Sequence, residues 1–134
     1  MRQPLLILVP SVIIGVQLDS VIKEVYVMKL TDRLAAAVSL IPQGAVIADI
    51  GTDHAYIPVS VCQSGHCPSA IAADIVPGPL AAAVAHVRGA GLTDRIDCRL
   101  GDGLTCIQAG EVDGAVICGM GGPLMVKILQ NSYE

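Results

Sequence analysis

Short runs of β-branched and small apolar residues alternate along this chain with Ala-rich stretches whose apolar positions recur at helical spacing. A first helix is predicted to begin after the N-cap residue Thr31 and to end before Pro42. Buried strands are predicted over residues 45–50, 70–74, 95–99 and 112–118, with helices over about 54–63, over 77–88 and from Pro123 onward. This alternation predicts an α/β fold.

Parallel strands joined by right-handed helical crossovers have one well-known solution, in which the four strands lie in the order 3-2-1-4. Ligands of such sheets bind at the carboxyl ends of the strands, where the Gly and Asp clusters of this chain fall. A doubly wound sheet normally continues beyond four strands. We therefore expect this chain to be truncated after the fourth strand and its following helix.

The amino-acid composition limits the classes of protein to which this chain can belong. The 134 residues suit one domain, and the apolar fraction of 53% with three Tyr and no Phe or Trp predicts a core of Ala, Val, Ile and Leu. Charged residues make up 15%, which excludes a disordered chain. A net charge of −4 argues against nucleic-acid binding by this segment unaided.

The N-terminal segment, residues 4–18, is almost entirely apolar. Pro10 and Gly15 interrupt it, so it does not resemble a membrane-spanning helix, and no small-x-small cleavage site follows it. We interpret residues 1–27 as an extension outside the domain, which then comprises residues 28–134. A signal peptide is the weaker alternative. We expect a cytoplasmic protein without membrane contact.

The five cysteines are odd in number and include no CxxC pair, so a disulfide framework is not expected and a reducing compartment is. Cys62, His66 and Cys67 cluster and would supply three metal ligands if a fourth came from elsewhere. Buried cysteines acting as small apolar residues are the favoured alternative, and we expect no metal.

Acidic residues lie at or just after the carboxyl ends of the predicted strands. The turn from Asp49 to His54 contains one of the three glycines of the GxGxxG fingerprint, which argues against NAD or FAD. Carboxylates at Asp49, Asp53, Asp74 and Asp102 favour a ligand with a positive centre, such as S-adenosylmethionine (SAM). Asp74 stands where an acid accepts hydrogen bonds from ribose hydroxyls, although a turn before Pro77 is an alternative role.

Three further features have two interpretations each. Asp102 either accepts from the adenine amino group or belongs to a simple Gly-Asp-Gly turn. The run from Gly119 to Gly122 either leaves room for a methyl acceptor or is a helix-entry loop. His54 either faces the pocket, as Tyr56 also can, or caps and packs the helix that follows.

Three motifs together resemble the TrmK family, the bacterial SAM-dependent tRNA (adenine-22-N1)-methyltransferases. They are the segment from Ile41 to Pro58 with its DIGTDHAY core, then GDGL at Gly101–Leu104, and GMGG at Gly119–Gly122. Each motif alone is weak, but their joint occurrence is specific. The resemblance extends from about Met28 to the last residue.

This resemblance implies a Rossmann-like class I methyltransferase fold with SAM as cofactor, and tRNA as a partner bound through a C-terminal helical domain that this chain lacks. It implies cofactor-binding roles for Asp49, Gly51, Thr52, His54, Asp74, Asp102, Gly119 and Met120, and places Gly121, Gly122 and Tyr56 beside the target base. Asp74 departs from the family's Glu but preserves the chemistry.

Methyl transfer to adenine N1 needs no strong base, because this nitrogen carries a lone pair, so positioning dominates catalysis. Asp53 is the candidate catalytic residue, since a carboxylate there would stabilise the cationic product base; helix capping is its alternative role. Two other functions stay open: a SAM-binding or structural fragment without turnover, and a small-molecule methyltransferase.

Overall fold

The computed structural model describes residues 6–8 and 31–131 of the chain. The strands are β1 (Leu6–Leu8), β2 (Ile47–Ile50), β3 (Ala70–Asp74), β4 (Ile96–Leu100) and β5 (Gly114–Ile117). The helices are α1 (Asp32–Ser39), α2 (Tyr56–Gln63), α3 (Pro77–Gly89) and α4 (Gly122–Asn131), with a 3₁₀ turn over Gly103–Cys106. Thr31 caps α1 as predicted, because its side chain accepts a hydrogen bond from the Leu34 amide.

All strand pairs in the sheet are parallel, in the order β1-β5-β2-β3-β4. The four predicted strands therefore lie in the order 3-2-1-4, which confirms the Rossmann-like prediction. In this register, Asp49 lies opposite Ala72 on one side and Val116 on the other, and Asp74 lies opposite Leu100. Asp49 and Asp74 therefore lie at the same end of the sheet, where the carboxyl ends of the strands meet.

The first strand was not predicted. Leu6–Leu8 pairs with Gly114–Val116 along the edge of β5 that faces away from β2. The interpretation of residues 1–27 as an extension outside the domain is corrected for these three residues, which form part of the sheet. The backbone of β1 pairs with the backbone groups on this side of β5, which would otherwise form an exposed strand edge. The rest of residues 1–27 lies outside the described residues.

Apolar side chains cover both faces of the central strands. Ile47, Ala72 and Val116 pack on one face with residues of α1, α2 and α3, whereas Ile50 and Ile117 pack on the other with the 3₁₀ turn and α4. Every residue of β2, β3 and β5 is buried. This pattern is typical of a parallel sheet enclosed on both faces. Within the described residues, the helices lack the length and apolar character needed to cross a bilayer.

Candidate functional site

The turn between β2 and α2 has an unusual backbone. Gly51 has φ +70°, and the non-glycine residues Asp53 and Ala55 also have positive φ, at 57° and 59°. Such conformations cost about 1–2 kcal/mol for each L-residue and persist only where the surroundings fix them. They delay helix α2 to Tyr56, two residues after its predicted start. Strain of this kind is typical of functional turns.

Asp74 helps to fix that turn. Its carboxylate is 8% exposed, with Oδ2 accepting from the Asp53 amide and Oδ1 from the Val76 amide, both at 3.0 Å. Because each carboxylate oxygen has two lone pairs, each keeps one for a further donor. The Asp74 carbonyl accepts from the Gly101 amide at 3.0 Å, which joins the ends of β3 and β4. Asp74 thus has its alternative turn role and also retains acceptor capacity at the site.

Asp49 is the most deeply buried carboxyl group at this edge, at 4% exposure. Thr52 Oγ1 donates to Asp49 Oδ2 at 2.8 Å, and the Thr52 amide donates to the Ala73 carbonyl at 2.9 Å. Burial raises the pKa of Asp49 to about 7; the Thr52 hydrogen bond opposes this shift and the charge of Asp74 adds to it. A cation placed nearby would favour the ionised form.

A cleft of about 360 Å³ opens above the ends of β2 and β5. Six of the predicted site residues line it: Asp49, Gly51, Thr52, Asp53, Tyr56 and Gly119. The structure adds Thr31, Arg33, Leu34, Ile57 and Cys118 to the lining. The other predicted site residues, His54, Asp74, Asp102, Met120, Gly121 and Gly122, do not line it.

An aromatic cluster lies beside the cleft. Tyr56 stacks on His54 at a centroid distance of 5.3 Å and meets the edge of His86 at 5.4 Å. Asp53 Oδ1 lies 3.0 Å from His54 Nδ1, and the His86 ring contacts the His54 carbonyl at 2.7 Å. The N-cap residue of α2 is Ala55, which makes no side-chain capping bond. Asp53 is therefore not the cap of α2, and its carboxylate, 64% exposed, faces solvent beside the cleft.

Two predicted positions lie away from this cluster. The Asp102 side chain is exposed at the end of β4, and its carbonyl accepts from the amide and hydroxyl of Thr105. Met120, in the glycine run, extends over the β2 turn: a Cβ added to Gly51 would lie 2.7 Å from Met120 Cε. Met120 therefore touches the motif to which the resemblance assigned it.

Replacement of Gly51 with alanine is expected to lower stability by about 1–2 kcal/mol, from its positive φ, and also to weaken ligand binding, because the added methyl group pushes Met120 aside. Gly65→Ala is the matched control, since Gly65 has φ +76° with nothing within 4 Å of its added Cβ. Thermal denaturation and titration with S-adenosylhomocysteine (SAH) measure both effects. A similar loss of affinity in both variants would contradict a site role for Gly51.

Sequence reasoning missed two groups of residues. The first is Thr31, Arg33 and Leu34, which the helical pattern of α1 did not assign to a ligand. The second comprises Ile75 and Leu100, which follow or end strands beside Asp74 and are 59% and 57% exposed. Large apolar side chains exposed next to a buried acid are a signal for a ligand with a flat apolar part, although the exposure itself could not be read from the sequence.

The suggested metal ligands have other roles. Cys62 and Cys67 are buried, and burial raises the pKa of both thiols. The His66 ring contacts the Ile41 carbonyl at 2.6 Å. Within the part of the chain that the structure describes, no group of three or more His, Cys, Asp or Glu is arranged to hold a metal ion.

Comparison with known proteins agrees with this geometry. A family model described as a methyltransferase domain matches residues 30–134. The tRNA (adenine(22)-N(1))-methyltransferase of Bacillus subtilis is 45% identical over 103 residues, which are 77% of this chain and 43% of that protein. This chain thus spans less than half the length of that curated relative.

Solved structures give the same result. The B. subtilis M1A22 tRNA methyltransferase TrmK superimposes with a TM-score of 0.76 at 44% identity, covering 78% of this chain and 45% of that one. TrmK of M. capricolum, solved with the cofactor product SAH, gives 0.73 at 38% identity over 78% and 48% of the two chains. These findings confirm the resemblance to TrmK. The chain belongs to the methyltransferase domain family.

Proposed function

We propose that this chain forms the SAM-binding part of a cytoplasmic tRNA (adenine-22-N1)-methyltransferase. The observation that carries the proposal is the joint placement of Asp49, the Gly51 turn and Asp74 at adjacent strand ends. The relatives reported above, a tRNA (adenine(22)-N(1))-methyltransferase and a TrmK solved with SAH, support the reaction and the cofactor.

The residues fit SAM as a ligand. Asp74 keeps one lone pair on each carboxylate oxygen, as a ribose diol requires. Ile75 and Leu100 offer exposed apolar surface for a flat base beside that acid, and Asp102 has an exposed carboxylate for an amino group. Asp49 is a buried acid in the cleft, suited to an ammonium group. Acidic and apolar groups of this kind match a cationic nucleoside better than a pyrophosphate.

SAM, when bound, supplies a methyl group activated by its sulfonium charge. The residues of this chain hold the reacting groups in position rather than generate a nucleophile, because adenine N1 already has a lone pair. The exposed Asp53 carboxylate stabilises the positive charge that methylation places on the base. Tyr56, with His54 stacked on it, and the glycines Gly121 and Gly122 border the acceptor side.

The tRNA is bound mainly by a part of the enzyme outside this chain, a C-terminal helical domain. Support for this assignment comes from charge: a net charge of −4 gives the segment little attraction for a phosphate backbone. The acidic groups at the cleft make that attraction weaker still.

Two measurements test the function. Calorimetric titration with SAH is expected to show one site per chain; no binding would refute the cofactor assignment. Transfer of labelled methyl groups from SAM is then measured on unmodified tRNA and on the same tRNA with adenine 22 replaced by guanine. A TrmK from B. subtilis serves as the positive control. SAH binding without adenine-22-dependent transfer would indicate a SAM-binding fragment without turnover, and transfer to a small molecule would indicate another acceptor class.

A further inference from the structure

Strand β1 takes a position in the sheet that its place in the chain does not predict. It runs parallel to β5, and Leu6–Leu8 pair in register with Gly114–Val116. The usual doubly wound order is 3-2-1-4-5-6, in which the strand beside the fourth is a fifth strand. Because β5 is the fourth of the predicted strands, β1 lies where that fifth strand is expected.

The residues of β1 lie outside the part of the chain that matches the methyltransferase family. That match begins at residue 30, whereas β1 ends at Leu8. Ile7, at the centre of the strand, is β-branched, which favours an extended backbone. The position beside β5 is therefore filled by a segment that is not part of the matched family domain.

Strand β5 leads directly into the wall of the cleft. The two residues that follow it, Cys118 and Gly119, line the cleft. Pairing across the sheet extends from β1 to the site, since Leu8 lies opposite Val116, and Val116 lies opposite Asp49. The strand that carries the cleft wall is thus paired on both sides as far as the row of the buried acid.

Without β1, one side of β5 would have no strand partner among the described strands. A strand of four residues at an exposed edge opens more readily than one that is paired on both sides. Because Cys118 and Gly119 continue directly from β5, its opening displaces this part of the cleft wall. The apparent affinity for a ligand falls with the fraction of molecules that keep the binding geometry.

We propose that β1 replaces the fifth strand of the sheet within the same chain, and that by covering the outer edge of β5 it holds the cleft wall in the geometry that binds the cofactor. The outer edge of β5 is then a docking surface for a parallel strand, and residues 6–8 are its occupant. The use of cofactor binding as a measurement rests on the proposed function, whereas the pairing of β1 with β5 does not.

The test removes backbone donors from β1 in the full 134-residue chain. Successive N–H groups of a strand face opposite sides, so the double substitution Ile7→Pro and Leu8→Pro removes one donor that faces β5. The matched control is Ile13→Pro with Ile14→Pro, in the same apolar segment but outside the described residues. Hydrogen exchange of residues 114–117 is measured by mass spectrometry, and SAH affinity by calorimetry.

In the β1 variant, exchange in β5 is expected to be about tenfold faster and SAH binding about tenfold weaker, whereas the control variant changes neither. A synthetic peptide of residues 2–10 is expected to restore both values in the β1 variant, because it supplies the missing strand. The same peptide with the two proline substitutions is expected to restore neither.

Unchanged exchange in β5 would overturn the proposal, because β1 would then not cover this edge. Faster exchange with unchanged SAH affinity would refute the effect on the cleft. Gly65→Ala tests for a general loss of stability, since it strains a turn with φ +76°. If it weakens SAH binding as much as the β1 variant does, the effect does not arise at β5.

If the proline variant does not fold, Ile7→Gly with Leu8→Gly replaces it, and smaller changes in the same direction are expected. Unchanged exchange in the glycine variant would equally refute the proposal. Failure of the unsubstituted chain to bind SAH would instead refute the proposed function, and the exchange measurement would still decide whether β1 covers β5.

Discussion

Replacement of Asp74 with alanine is expected to weaken SAH binding by roughly 1.5–3 kcal/mol, the range for hydrogen bonds to a charged group. The loss arises because the ribose diol no longer meets the two free lone pairs of a buried carboxylate. Calorimetric titration of the variant and the unsubstituted chain measures it. Asp94→Ala is the control, since Asp94 is an exposed acid in the turn before β4, at the opposite edge of the sheet.

Asp74 also accepts the amides of Asp53 and Val76, so its removal loosens the turn as well. The two effects are separated with 5′-methylthioadenosine and its 2′-deoxy analogue. The unsubstituted chain is expected to prefer the ribose form, and Asp74→Ala to lose this preference. If the variant binds both forms more weakly by the same factor, Asp74 shapes the turn and does not contact the ribose.

The four central strands and their order could be predicted because their sequences are continuous apolar runs separated by helical patterns, and parallel crossovers permit few arrangements. The position of Asp74 followed from the same logic. Asp74 ends the strand that pairs with β2, so its carboxylate was expected beside the turn after β2, and the structure shows it accepting from the Asp53 amide of that turn.

Other features depend on long-range contacts that no local pattern encodes. Strand β1 pairs with β5, more than a hundred positions later in the chain, and a short apolar run does not specify which edge it joins. The positive φ values of Asp53 and Ala55 fall on residues that ordinarily avoid them, so the later start of α2 could not be predicted. Arg33 was missed for a related reason: the periodicity of α1 indicates a helix but not which part of its polar face meets the cleft.

The buried carboxyl group of Asp49 is expected to lower the stability of the folded chain at neutral pH and to strengthen the binding of a cationic ligand. Asp49 is buried at the ends of the central strands, and the Thr52 hydroxyl donates a hydrogen bond to its carboxylate. Burial raises the pKa of its carboxyl group to about 7 from the ordinary value of 3.8. The unfolded chain therefore loses this proton at lower pH than the folded chain does.

Asp49→Asn is therefore expected to stabilise the protein at pH 8 by about 2–4 kcal/mol relative to the unsubstituted chain. The sign follows from linkage: a folded pKa above the unfolded one means that the contribution of Asp49 to stability falls as pH rises from about 4 to about 7, then levels off. Asparagine does not titrate and still accepts from Thr52, so the two proteins should differ little at pH 4 and increasingly up to pH 7. Urea denaturation at pH 4, 6 and 8 measures the difference, with Asp94→Asn as the exposed control. The same variant is expected to bind SAH more weakly at pH 8, because the ammonium group loses its anionic partner. A stability difference that is constant across this pH range would show that Asp49 is ionised in the folded chain throughout, and that its burial is compensated by groups other than Thr52.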